Sequence, residues 1–236
     1  VGIAIGTVLL PDLSRRLRAG DAEGGRASLN RGAEFALAMT LPAAVALVVI
    51  AEPLCSVLYQ RGAFTLADTH ATAIALAIYG AGLPAFVLHK VLQPLFYARE
   101  DSRSPFIYAI ASMITNAVMA VGLMPWLGFA AAAWATTLSG WVMVWQLWRG
   151  SRKMGPEAGF DARFRERMPR IALASAIMGA VLWLGAQALD PMLHVHLLRY
   201  VALLILVALG IVSYFGTGAL IGAFRISDFT SLRRKS

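Results

Sequence analysis

Six long apolar blocks, at 33–51, 70–98, 106–124, 128–148, 171–189 and 197–224, leave this chain few ways to fold. Each is near or above the ~20 residues that an α-helix needs to cross a ~30 Å hydrocarbon core. The blocks are continuous, whereas lipid-facing barrel strands would alternate over about ten residues, so strands are excluded. Only 14% of residues are charged and 58% are hydrophobic, against about 25% charged in an ordinary soluble domain. The expected class is all-α, a polytopic transmembrane helix bundle. Ahead of the first block, the apolar stretch 1–10 meets Pro11, Asp12 and Arg15, Arg16 and Arg18 too early for a full span and has no basic flank before it. It reads as the tail of a helix whose beginning is absent, and the chain as a piece of a longer protein.

Lysine and arginine in short loops are retained on the cytoplasmic side, so their placement sets orientation. Of the 21 basic residues, 18 fall on one side of the expected spans. They sit around Arg15 to Arg31, at Arg99 and Arg103, between Arg149 and Arg170, and in the tail from Arg225 to Lys235. Only Arg61 and Arg199 fall on the other side, and Lys90 lies inside a span. One missed or invented span would scramble this alternation. The C-terminus is therefore expected in the cytoplasm. The net charge of +8 suits an anionic membrane surface better than nucleic acid, because the cations interleave with apolar blocks.

Two segments stand apart from the spans. Residues 52–68 are too short and mixed to cross; Leu54, Val57, Leu58 and Phe64 suggest an amphipathic element at the outer interface, and an ordered loop is the alternative. Residues 150–169 read as a Gly- and Pro-containing cytoplasmic linker leading into a basic surface helix, which marks the one organisational boundary. The expected division is 1–149, 150–169 and 170–236.

Ionisable side chains inside a bilayer are functional hypotheses by default. His89, Lys90, Gln93 and Tyr97 fall at spacings of three and four and form a polar stripe over two turns. One reading makes Lys90 a cavity-facing cation for an anionic headgroup; the other lets it snorkel to the interface. The same block holds GAGLP at 80–84 and then Pro94, so a hinged or statically kinked helix is expected. In the next block Tyr108, Ser112, Thr115 and Asn116 share a face, and across a short turn lie Thr136, Thr137 and Ser139. Such groups hold a small cation, line a watery cavity, or join helices by hydrogen bonds. Glu34, a turn beyond Arg31, is expected to make a local ion pair. His194 and His196 lack a third ligand nearby, so no metal is assigned to them. The lone Cys55 excludes an internal disulfide. No phosphate-cradling loop, HExxH, GxSxG or paired intramembrane carboxylates occur, so an enzyme is not expected and no cofactor is implied.

Four stretches in order are more specific: LLPDLSR at 9–15, TLPAAVALVVIAEPL at 40–54, RGAFTLADT at 61–69 and KVLQPLFYAREDSRSP at 90–105. Together they resemble the MurJ/MviN family, bacterial lipid II flippases within the superfamily that includes multidrug and polysaccharide exporters. The resemblance implies a MurJ/MATE-like exporter fold of fourteen helices in two six-helix lobes plus two additional helices, of which this chain looks like the end of the eighth through the fourteenth. It implies an inner-membrane monomer that moves lipid II, the undecaprenyl-pyrophosphate-linked disaccharide-pentapeptide, to the periplasmic leaflet by alternating access for cell-wall synthesis. Blocks 171–189 and 197–224 would border a groove for the lipid tail. Lys90 matches a basic position of the family's tenth helix, with Gln93 and Tyr97 extending its polar face. Asn116 and Thr136 match two members of a sodium site found in some relatives. Ala120 stands where that site has its aspartate, so sodium coupling is not expected. The alternatives are an exporter of another lipid-linked polysaccharide or of drugs with the same fold, or a non-transporting membrane scaffold.

The charge asymmetry makes one direct prediction. On a Cys55-free background, a cysteine at position 61 should react with an impermeant maleimide added outside intact cells, and one at position 163 should not. Outside labelling at 163 would sink the arrangement.

Overall fold

The computed structural model describes residues 2–155, 158–193, 195 and 198–223. Among them the chain forms nine helices and no strand. These are α1 (Gly2–Arg18), α2 (Ala22–Val49), α3 (Ala51–Tyr59), α4 (Leu66–Tyr97), α5 (Arg103–Leu127), α6 (Ala130–Ser151), α7 (Ala162–Ala188), α8 (Asp190–Leu193) and α9 (Leu198–Leu220). Each expected apolar block became one long helix. Helices α2, α4, α5, α7 and α9 are long and apolar enough to cross a membrane. Helix α6, of 22 residues with four tryptophans and several hydroxyl residues, is not among these five.

The helices extend past the apolar blocks where a cap permits it. Asp21 accepts the Gly24 amide at 2.8 Å and starts α2 ahead of block 33–51, so Arg26 and Arg31 ride on a helix instead of a loop. Thr65 and Asp68 form a reciprocal capping box that starts α4 at Leu66. The expected interfacial element at 52–68 is therefore divided: α3 is a separate short helix, and the last residues of the stretch are the first turn of α4. Asp161 caps α7 through the Phe164 amide at 2.7 Å. Residues 162–169 accordingly continue into the span through Pro169 instead of forming a separate surface helix. Helix α4 likewise runs unbroken through Pro84 and Pro94.

Helix α4 is the post of the bundle and packs against α1, α2, α3 and α6. Two glycines of GAGLP let it come close. A Cβ at Gly80 would lie 2.8 Å from the Leu47 Cβ of α2, and one at Gly82 would lie 2.8 Å from the Thr137 hydroxyl of α6. That hydroxyl donates to the Ile78 carbonyl at 2.9 Å, so the small residues admit both a close contact and an interhelical hydrogen bond. At the basic end, Arg99 donates to the Met154 carbonyl at 3.0 Å, Asp101 accepts the Ser104 amide at 2.9 Å, and buried Phe96 meets Tyr108 edge-on. These contacts give the FYAREDSRSP stretch a structural reason: it turns α4 into α5 and ties that turn to the segment after α6.

Helix α7 packs on α2, and α9 packs on α7. Glu34 pairs with Arg167 at 2.6 Å and Arg163 at 3.3 Å. The expected ion pair exists, but its partners come from α7 and not from Arg31. Arg163 and Arg167, spaced by one turn, present both guanidinium groups to one carboxylate that is only 8% exposed. Higher in α2, Pro42 has no amide hydrogen, which deprives the Ala38 carbonyl of its helical donor. Tyr214 of α9 supplies the missing donor, its hydroxyl reaching the Ala38 oxygen at 2.5 Å.

Tyr214→Phe should therefore leave a buried carbonyl bare and destabilise the fold by about 1–3 kcal/mol. Pro42→Ala restores the helical donor, so on that background Tyr214→Phe should cost clearly less. Melting curves of the four proteins of this double-mutant cycle check it; additive effects would refute the pairing.

Candidate functional site

Side chains of α4, α5 and α6 surround a groove of about 370 Å³. Its polar lining comes from His89 and Gln93 of α4, Ser112 and Asn116 of α5, and Ser139 of α6, with Met113 and Met143 beside them. The α5–α6 hairpin turns at Gly128, which sets the two helices antiparallel and brings residues equidistant from the turn to one depth. Asn116 donates through Nδ2 to the Thr136 hydroxyl at 3.2 Å and to the Ser139 hydroxyl at 3.4 Å. Asn116 and Thr136, which lie at similar distances from the turn, thus meet in the structure. Ser112 donates to the Ser139 carbonyl at 2.7 Å and closes the same seam.

The hydroxyl-bearing residues divide by role. Thr115 returns its proton to Ala111, and Thr137 is used between α4 and α6. Tyr108 packs on the core beside Phe96. Ser112, Asn116, Thr136 and Ser139 gather at the groove. Of the α4 stripe, Gln93 lines the groove, while Lys90 and Tyr97 are exposed on the adjoining face of the same helix. His89 takes the position beside Gln93; the spacing of four between them was the signal for it. His194 and His196 lie outside the described residues.

Thr136 passes its own proton to the Ala132 carbonyl at 2.9 Å, and Ser139 passes its proton to the Thr136 carbonyl at 2.9 Å. The Asn116 amide thus offers donors to two hydroxyl oxygens, a self-satisfied arrangement rather than an open set of oxygen ligands. Ala120, one turn further on α5, adds no carboxylate. Hard cations favour several oxygens and negative charge, so these residues do not fit sodium. The groove suits recognition of a polar, hydrogen-bonding group at a membrane-embedded surface, and nothing in its lining is arranged as nucleophile and base.

The long apolar helices, joined by this half-buried polar seam, define a multi-pass helical membrane protein. Residues 1–203 match the family model described as lipid II flippase MurJ, and the chain belongs to that family. A probable lipid II flippase MurJ of Rhizobium meliloti is 43% identical over 79% of this chain and 35% of its own length. A protein of the same description from Rhizobium tropici is 37% identical over 100% of this chain and 45% of its own length. A solved structure of lipid II flippase MurJ in an inward closed conformation superposes with a TM-score of 0.73 at 24% identity, covering 93% of this chain and 42% of that one. The chain therefore spans less than half the length of the relatives it matches, and it has their bacterial, multi-pass membrane character.

Replacing potassium by sodium at constant ionic strength should leave the melting temperature of the purified protein unchanged. Ala120→Asp, which returns a carboxylate one turn from Asn116, should introduce a sodium-dependent stabilisation. A sodium-specific shift in the unsubstituted protein would refute this reading of the seam.

Proposed function

We propose that this chain is the C-terminal portion of a lipid II flippase. The whole protein moves the undecaprenyl-pyrophosphate-linked precursor from the cytoplasmic to the periplasmic leaflet by alternating access. The observation that carries the proposal is the family match over residues 1–203. In this reading 1–149 belong to one transporter lobe, 150–169 link it to the rest, and 170–236 supply two additional helices and a cytoplasmic tail. The protein acts as a monomer in the inner membrane, with its C-terminus in the cytoplasm. The preponderance of cations on one side of the spans supports that orientation.

The polar face of α4 is the part of this chain that meets the headgroup. Lys90 supplies the charge for the pyrophosphate, and Gln93 and Tyr97 supply hydrogen bonds towards the cytoplasmic end. Lys90 is exposed and has an exposed aromatic neighbour one face-repeat away at Tyr97, an arrangement that lipid tails would not satisfy. Water or a headgroup in a cavity would. The tail has a separate candidate place: an apolar groove of about 210 Å³ between α2, α7 and α9, lined by Met39, Pro42, Met178, Leu182, Ile211 and Phe215. Its walls are almost wholly hydrocarbon, which suits a polyprenyl chain. Rocking of lobes around a midplane cavity is the general logic of such transporters. The Asn116–Thr136 pair acts here as interhelical adhesion.

The test is complementation of a strain depleted of its lipid II flippase by the full-length protein. Lys90→Ala should fail or complement poorly at normal membrane abundance, with precursor accumulating inside and lysis following. Lys90→Arg should retain part of the activity, because charge is kept while geometry changes. Full complementation by Lys90→Ala would remove Lys90 from the site. Complementation failure by the unsubstituted protein would move the substrate to another lipid-linked saccharide.

A further inference from the structure

Arg61 and Arg199 are the two cations that the sequence places at the end of the bundle away from the other loops, and they come from distant parts of the chain. In the structure they converge. The Arg61 guanidinium carbon lies 5.8 Å from the Tyr200 ring centroid and that of Arg199 lies 5.2 Å from the same ring. Arg61 belongs to the turn between α3 and α4, while Arg199 and Tyr200 form the first turn of α9, against which α3 packs.

Arg199 is 9% exposed, and its Nε is buried without a hydrogen-bond partner. One of its terminal nitrogens donates to the Tyr200 hydroxyl at 3.2 Å, a neutral acceptor that leaves the charge uncompensated. Among the described residues neither arginine has a carboxylate within ion-pair distance. A buried charge without a counter-ion is costly, and a second like charge beside the same ring adds repulsion. Both contributions have one sign, and an anion relieves both.

We infer that Arg199 and Arg61, brought together at Tyr200, form a binding site for the phosphate of an anionic phospholipid headgroup. Tyr200 aligns the two guanidinium groups, and its hydroxyl stands beside the site as a further hydrogen-bonding group. Arginine matches phosphate oxygens with paired donors, which a buried planar guanidinium at a span terminus is placed to offer. The position at the start of a long apolar helix selects a lipid over a free ion, since acyl chains then lie along α9. The inference rests on the membrane character of the chain and not on which substrate is moved.

The full-length protein in nanodiscs provides the test, with phosphatidylcholine alone or mixed with phosphatidylglycerol. Phosphatidylglycerol should raise the melting temperature of the unsubstituted protein, and Arg199→Gln and Arg61→Gln should each lose most of that rise. In phosphatidylcholine alone Arg199→Gln should melt no lower than the unsubstituted protein, because there it removes a charge that nothing balances. Native mass spectrometry gives a second measure, and Arg61→Gln, a surface change that does not threaten folding, should weaken phosphatidylglycerol retention about tenfold. Arg18→Gln, at the opposite end of the bundle, should not. Equal stabilisation by phosphatidylglycerol in all proteins would overturn the site. So would an equal effect of inorganic phosphate, which would make it a free-anion site, or an effect confined to undecaprenyl pyrophosphate, which would make it a substrate site.

Discussion

The close approach of α4 to α2 and α6 is the contact on which the other features depend. Between lipid tails, apolar side chains gain little by leaving their surroundings, so helices associate through packing and shared hydrogen bonds. Gly80 and Gly82 remove the side chains that would hold α4 away from Leu47 and Thr137. The Thr137 hydroxyl then reaches the Ile78 carbonyl. With α6 fixed to α4, the α5–α6 hairpin places Ser112 and Asn116 beside Gln93 and His89, and the polar groove follows. A larger residue at either glycine would act on the groove without lining it.

Polar groups in this bundle do two kinds of work, and the structure separates them by whether their protons stay on the protein. Thr137 and Tyr214 spend their hydroxyl protons on carbonyls of neighbouring helices and join them. Gln93 lines the groove beside α5 and α6, while Lys90 and Tyr97 are exposed on α4 and join no other helix by a side-chain hydrogen bond among the described residues. The single well-buried carboxylate of α2, Glu34, is at a helix end and holds two arginines of α7. The pair α7 and α9 is thereby fastened to α2 at one end by charge and nearer the middle by the phenol.

The long helices were legible because a hydrocarbon core demands about twenty apolar residues, and no cap or turn can imitate that run. Asn116 and Thr136 were legible because a tight hairpin makes depth a matter of counting from the turn. The ends of α2 and α7 were not, since Asp21 and Asp161 prolong helices through polar sequence that reads as loop. The partner of Glu34 was hidden for a different reason: sequence shows the neighbour at Arg31, whereas the choice of Arg163 and Arg167 depends on which helices touch. The splitting of the α4 stripe, with Gln93 in the groove and Lys90 and Tyr97 beside it, turns on a rotation about the helix axis that periodicity alone leaves free. Arg61 and Arg199 looked like isolated exceptions to a charge rule until the fold brought them to one tyrosine.

The bond from Tyr214 to the Ala38 carbonyl also has a direction in history. A phenol arriving first in α9 meets a carbonyl already engaged by its own helix and costs little. A proline arriving first at position 42 strips that carbonyl bare inside the bilayer. The chain would therefore tolerate loss of Pro42 with Tyr214 kept more readily than loss of Tyr214 with Pro42 kept.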